Sequence, residues 1–244
     1  MKTANVFRGL LVLVLSTVLI LAAGGCKKSA KPESKQNPEQ PTVPSVSEGE
    51  PIKVGAIFAV TGPASFLGAP EAKTVEMFAD QVNQAGGING RRIQMIIKDS
   101  GSKPENAISL AKQLIDEEKV LAILGPSTSG ESMAIKNICQ EAKMILISCA
   151  AAEDIVNPIA SYVFKTPQKD SDAARLIYKT MKDKGIAKIG VINSNDGFGV
   201  AGGKQLADLA GEYGITIAIS EAYDKQATDL TDILTKVKGQ EVQA

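Results

Sequence analysis

The sequence contains no histidine and no tryptophan. Without histidine there is no Ser-His-Asp triad, no Cys-His pair and no His-bearing metal site. The formal net charge is zero, so nothing points to nucleic acid or to acidic substrates. The carboxylates Asp99, Glu131, Glu153 and Asp154 are scattered, as ordinary loop charge is, which makes hydrolysis a weak reading. No cofactor is called for. There are only three cysteines. Cys139 falls in a predicted helix and Cys149 at a predicted strand end. An exported chain permits disulfides, but these positions read as two buried thiols before they read as a bridge.

What is present starts with an export signal. Lys2 and Arg8 precede an apolar run from Leu10 to Ala23, and Gly24-Gly25-Cys26 follows. A basic start, a short apolar stretch and small residues before a cut make a secretory signal. The run is shorter than the roughly 20 residues of a bilayer span. It resembles a bacterial lipoprotein signal over 1–26, which implies lipidation of Cys26. Ala23 stands where such signals usually carry Leu. An ordinary cleaved signal with an incidental cysteine, or an uncleaved anchor, is the alternative. Residues 27–50 carry four prolines (Pro32, Pro38, Pro41, Pro44) and almost nothing apolar. Such a segment cannot offset its ordering entropy by burial. As a flexible coil it spans roughly 25–30 Å on average, a tether between a membrane and a domain.

From Pro51 onward, apolar β-branched runs alternate with amphipathic stretches. Strands are expected at Ile52–Val60, Arg92–Lys98, Val120–Gly125 and Met144–Cys149, then a short extended piece at Tyr162–Lys165. Further strands are expected at Lys188–Asn193 and Ile215–Ser220. Helices are expected from Ala69, with Pro70 in the first turn, then over Pro104–Glu118, Gly130–Ala142, Ser171–Lys184, Gly199–Tyr213 and Thr228–Lys238. Continuous Ile/Val strands alternating with helices mean an α/β fold with parallel sheets covered by helices. The break around Tyr162–Gln168 divides the chain into lobes at 51–165 and 166–244, joined by a hinge. Gln240–Ala244 reads as the start of another strand. The second lobe would then hold only two complete strands, too few for a stable layer, and is expected to be incomplete.

One stretch organises the rest. Val120 to Gly130 reads as a strand, a Gly-Pro turn, three hydroxyls (Ser127, Thr128, Ser129) and a helix start. Hydroxyls and free N–H groups then meet at a helix N-terminus, which suits a small anion such as a carboxylate. Thr128 and Glu131 also have capping-box spacing.

Several segments together carry a family resemblance: Lys53-Val54-Gly55-Ala56-Ile57, Thr61-Gly62-Pro63, Asn83 to Gly90 with its Ala-Gly-Gly-Ile-Asn-Gly turn, Gly125 to Ser129, and Asn193 to Gly199. The chain resembles the substrate-binding lipoproteins of ABC importers for branched-chain amino acids, with a type I periplasmic-binding-protein fold. The resemblance covers about Ile52 to Ala244. It implies two lobes closing on an amino acid, delivery to a membrane permease, and a location on the outer face of the membrane through the lipid anchor. It also implies a further C-terminal stretch beyond Ala244 that carries the acid pairing with the ligand ammonium. By position, Ser129 with its neighbour Thr128 matches the hydroxyl site for the ligand carboxylate. Ala150 matches a residue offering backbone groups. Ala152 stands where the family commonly has Thr, which removes one polar contact. Phe198 matches a Tyr that closes the pocket from the second lobe. Phe66, in the first loop, is expected to line the side-chain subsite.

Two other readings compete. A sensory ligand-binding domain of the same fold would hand its closed state to a receptor. A dinucleotide-binding oxidoreductase would carry a G-x-G-x-x-G before a helix, and Gly197 to Gly202 has that form, with Glu221 further on. Ser194 to Asp196 intervene between strand and glycines, which the fingerprint does not allow.

Overall fold

The computed structural model describes residues 49–244. The expectations for residues 1–26 and for nearly all of the tether lie outside the described residues. Within 49–244 the elements alternate as the sequence pattern requires. The first sheet has five parallel strands in the order β2-β1-β3-β4-β5. These are β1 (Ile52–Phe58), β2 (Ile93–Asp99), β3 (Ala122–Leu124), β4 (Ile145–Ser148) and β5 (Val163–Lys165). Helices α1 (Ser65–Gln84), α2 (Pro104–Asp116) and α3 (Ser129–Glu141) connect the first four. A 3-10 turn at Glu153–Ile155 lies between β4 and β5. A second sheet pairs β6 (Lys188–Ser194) with β7 (Thr216–Tyr223), again in parallel. It is flanked by α4 (Asp170–Asp183), α5 (Gly197–Ala210) and α6 (Thr231–Lys238).

Strand β1 shows why the first sheet is covered on both faces. Successive side chains point to opposite faces. Ile57 packs with Leu114, Ile123, Ile135 and Leu146, the core under α2 and α3. Its neighbours Ala56 and Phe58 pack with Ala72 of α1 on the other face. Both faces are apolar, so the strand reads as a continuous hydrophobic run. The second sheet has its own core of Tyr178, Ile189, Val191, Leu209 and Ile215. There the Tyr178 hydroxyl donates to the carbonyl of Leu206 at 2.6 Å.

Two expectations are corrected. Helix α1 begins at Ser65, not Ala69, so Pro70 lies inside it and not in its first turn. The extra turn is closed on its N-cap, Ala64, which is itself held from outside the helix. Leu67 and Gly68 N–H donate to the Ala64 carbonyl, and Ala64 N–H donates to the Ser102 hydroxyl. Tertiary contacts thus supply what local propensity does not. The expected strand start at Gln240 is also displaced. Gln240 and Glu241 finish the last turn of α6, bonding back to Val237 and Lys238. Only the final residues reach β6: Gln243 N–H donates to Lys188 O at 2.8 Å, and Gly190 N–H donates to Ala244 O at 2.9 Å.

Candidate functional site

Strand order places the site. In the first sheet β1 is central, with β2 on one side and β3 on the other. The chain therefore leaves β1 and β3 in opposite directions, opening a crevice at their carboxyl ends, where open α/β sheets hold ligands. The β1–α1 loop and the β3–α3 turn form its walls. Gly125 opens that turn with φ of +86°, and a Cβ there would sit 2.2 Å from the Ile57 carbonyl. Only glycine allows this approach. The following Gly125–Pro126 peptide is cis.

The three hydroxyls after the turn have three different surroundings. Ser127 Oγ accepts from Ala59 N–H at 3.0 Å and donates to Glu71 Oε2. Thr128 is the N-cap of α3: its Oγ1 accepts from Glu131 N–H at 3.4 Å and donates to Glu131 Oε2 at 2.5 Å. The capping-box spacing is thus used as a cap. Ser129 is the first residue of the helix and is 3% exposed. Its Oγ accepts from Ala152 N–H at 3.2 Å. Ser148 supports the opposite wall, accepting from Ala150 N–H at 3.0 Å while its hydroxyl meets that of Ser132 at 2.7 Å.

These residues border a cavity of about 300 Å³. Ser127, Thr128, Ser129, Cys149, Ala150 and Ala151 line it from the β3 and β4 ends, with Phe66, Leu67 and Glu71 from α1. Asp196, Phe198 and Lys225 line it from the second sheet's side. Five of the six sequence-selected positions therefore meet in one cavity: Phe66, Thr128, Ser129, Ala150 and Phe198. Ala152 lies behind it, buried in the core, and reaches the site only through its N–H on Ser129. Phe66 is 71% exposed and Phe198 55%, so both aromatic rings stand at the mouth and not in the core.

Sequence reasoning placed Ser127 in the hydroxyl turn without a role of its own, and missed Glu71, Asp196, Lys225 and the place of Cys149 in the site. Burial raises the Glu71 carboxyl, the Ser127 hydroxyl pulls it down, and nearby Glu131 raises it; the balance lies above its ordinary value. Burial likewise pushes the Cys149 thiol up to about 11, and Cys139, deeper, to about 12. Neither is bridged, and at neutral pH both are thiols, not nucleophilic thiolates. Asp196 behaves in the opposite way to Glu71. Burial raises it, but hydrogen bonds from Lys225 Nζ at 2.6 Å, Gly199 N–H at 2.9 Å and the Ser194 hydroxyl at 2.7 Å outweigh burial and hold it below its ordinary value.

That same bond set answers the dinucleotide reading. Asp196 caps α5 with its own carboxylate, at the helix end where a phosphate would sit. Glu221 is ion-paired with Lys236 at 3.3 Å. The glycines serve packing instead. A Cβ on Gly199 would sit 2.2 Å from the Ser194 carbonyl, and one on Gly197 would sit 3.0 Å from Gly130 N. The N-termini of α3 and α5 therefore lie too close for a side chain at Gly197 to stand between them.

The model of the family described as "Periplasmic binding protein" matches residues 51–244. The chain belongs to that family. It is 26% identical over 202 residues to a Leu/Ile/Val-binding protein, BraC3, of Rhizobium johnstonii, covering 78% of this chain and 52% of the relative. Among solved structures it is similar to an extracellular ligand-binding receptor from Rhodopseudomonas palustris HaA2, with 29% identity and a TM-score of 0.73 over 79% of this chain and 52% of that one. It is similar also to the branched-chain amino acid transporter substrate binding protein LivJ from Streptococcus pneumoniae, solved with isoleucine. There the identity is 28% and the TM-score 0.68, over 79% of this chain and 55% of the other. The chain thus spans about half the length of the curated relatives it matches. The family is one of periplasmic binding proteins and not an enzyme family, and the two-sheet α/β architecture is that of the type I fold.

Proposed function

We propose that this chain serves an ABC importer as its extracytoplasmic substrate-binding component, capturing an amino acid or related zwitterion between lobes at 51–165 and 166–244. The observation that carries the reading is the cavity at the β1/β3 crevice, with buried Ser129 on the first turn of α3. A ligand carboxylate there gains the Ser129 hydroxyl and the positive end of the helix. The apolar remainder of the wall takes the side chain, and Phe198 covers it from the other sheet. No bond is made or broken in this role; the ligand shifts an open-to-closed equilibrium by its greater affinity for the closed form. The relatives' names, Leu/Ile/Val-binding protein and branched-chain amino acid transporter substrate binding protein, support the same role. The partners are then a membrane permease and, through lipid on Cys26, the membrane itself.

Calorimetry of the full-length protein against a panel of amino acids is expected to find one tight ligand, and a blank panel sinks the reading. Ser129→Ala is expected to weaken that ligand by about 1–3 kcal/mol, the range for leaving a buried polar partner unpaired. Unchanged affinity removes Ser129 from the site. Mass spectrometry of the membrane-bound protein is expected to find lipid on an N-terminal Cys26, and an unmodified Cys26 rules out the lipid anchor.

A further inference from the structure

The cavity contains one charge that its surroundings leave unanswered. Three of its lining side chains are of charged type: Glu71, Asp196 and Lys225. Asp196 and Lys225 close on each other at 2.6 Å and cancel. Glu71 remains. Among the described residues its carboxyl accepts from Ser127 alone, and no cation pairs with it. The same cavity is lined also by the apolar side chains of Phe66, Leu67 and Phe198. A carboxylate in such surroundings is costly until a donor or a cation meets it.

Ser127 gives that carboxylate a direction. Its hydroxyl already accepts from Ala59 N–H, so its single proton goes to Glu71 Oε2. This fixes one oxygen and leaves the other to accept. The cavity then holds two kinds of partner: the first turn of α3, which favours an anion, and Glu71, bonded to the residue just before that helix's N-cap, which favours a donor.

We propose that Glu71, oriented by Ser127, receives an N–H donor on the ligand's side chain, so that the site takes amino acids ending in an amide or an ammonium in preference to plain aliphatic ones. This rests on the amino-acid reading above. It assigns Glu71 as a specificity-determining residue and Ser127 as a positioning residue that acts through it. A plain aliphatic side chain would lie against the carboxyl and leave it desolvated and unpaired, which is where the discrimination arises.

The test is calorimetry on the full-length protein with three ligand arms: leucine, isoleucine and valine; glutamine and asparagine; lysine and ornithine. The expected result is an amide or ammonium ligand at least tenfold tighter than any aliphatic one. In Glu71→Gln that ligand loses at least tenfold and its preference over leucine collapses. An ammonium ligand is expected to lose more than an amide one, because Gln still accepts a hydrogen bond but carries no charge. Ser127→Ala is expected to narrow the same preference while the carboxyl stays in place. The ranking of the three arms in the unaltered protein needs no variant to fold. An aliphatic ligand binding tightest overturns the proposal and leaves the amino-acid reading standing. No binding in any arm overturns both.

Discussion

The two sheets are built from the same alternation but are unequally enclosed. In the first, β1 ends in four consecutive buried residues, and separate cores lie on its two faces. In the second, β7 has no buried residue and α6 buries none. Local stability follows buried apolar contact. Among the described residues, Ser127 and Ser129 therefore stand on the more enclosed of the two sheets, and Asp196, Phe198 and Lys225 on the less enclosed one.

The largest expected effect tests that inequality directly. Leu114→Ala, in the fully buried first core, is expected to cost about 2–5 kcal/mol. Ile217→Ala, only partly buried against the second core, is expected to cost about 1 kcal/mol. Urea denaturation of both variants checks it, and equal costs remove the contrast.

The next effect lies where the two parts touch. Gly197→Ala sets a methyl 3.0 Å from Gly130 N and 3.1 Å from its Cα. It is expected to destabilise by about 1–3 kcal/mol, as overpacking does. Gly202→Ala, on the same helix with nothing within 4 Å of its Cβ, is expected to stabilise by about 0.5–1 kcal/mol. Opposite signs in thermal melts support the contact, and a stabilising Gly197→Ala removes it.

The smallest effect separates the two cleft acids by sign. Asp196, held low, contributes stability above the ordinary carboxylate range near pH 4 and loses it as the pH falls below that. The partly exposed Lys225 pair limits this to about 0.2–1 kcal/mol. Glu71, held high, does the reverse: the folded state pays nothing in acid and loses stability as the pH rises above about 4. Asp196→Asn is therefore expected to lower the melting temperature at pH 7, and Glu71→Gln to raise it. Both differences should shrink near pH 3, and shifts of equal sign at pH 7 contradict the assignment.

Much of this fold was legible because its strands are buried on both faces. Ile52 to Phe58 and Ile145 to Ser148 are apolar almost throughout, and that pattern leaves few alternatives to a parallel strand. The start of α1 was not legible. Pro70 marked a helix beginning, while the true first turn depends on Ser102, from a loop distant in sequence. In the site, Thr128 and Ser129 follow directly from a strand–turn–helix pattern, whereas Ala150 and Phe198 came only from the family resemblance. Glu71 carried only a faint signal, an acid one residue after the proline that misplaced the helix start. Lys225 carried none, since its meaning comes from Asp196, 29 residues earlier in the chain. Local pattern thus reached the Gly125–Ser129 turn, and the charge balance of the cavity emerged only from tertiary pairing.

The glycine contact between α3 and α5 sets a limit of its own. Side chains at an interface are compressible in the sense that they can change rotamer, so a gap lined by them has no sharp minimum width. Gly130 and Gly197 offer nothing to rotate. Neither can make room for an added methyl by changing rotamer, so the spacing of the two helix starts is set by main chain alone.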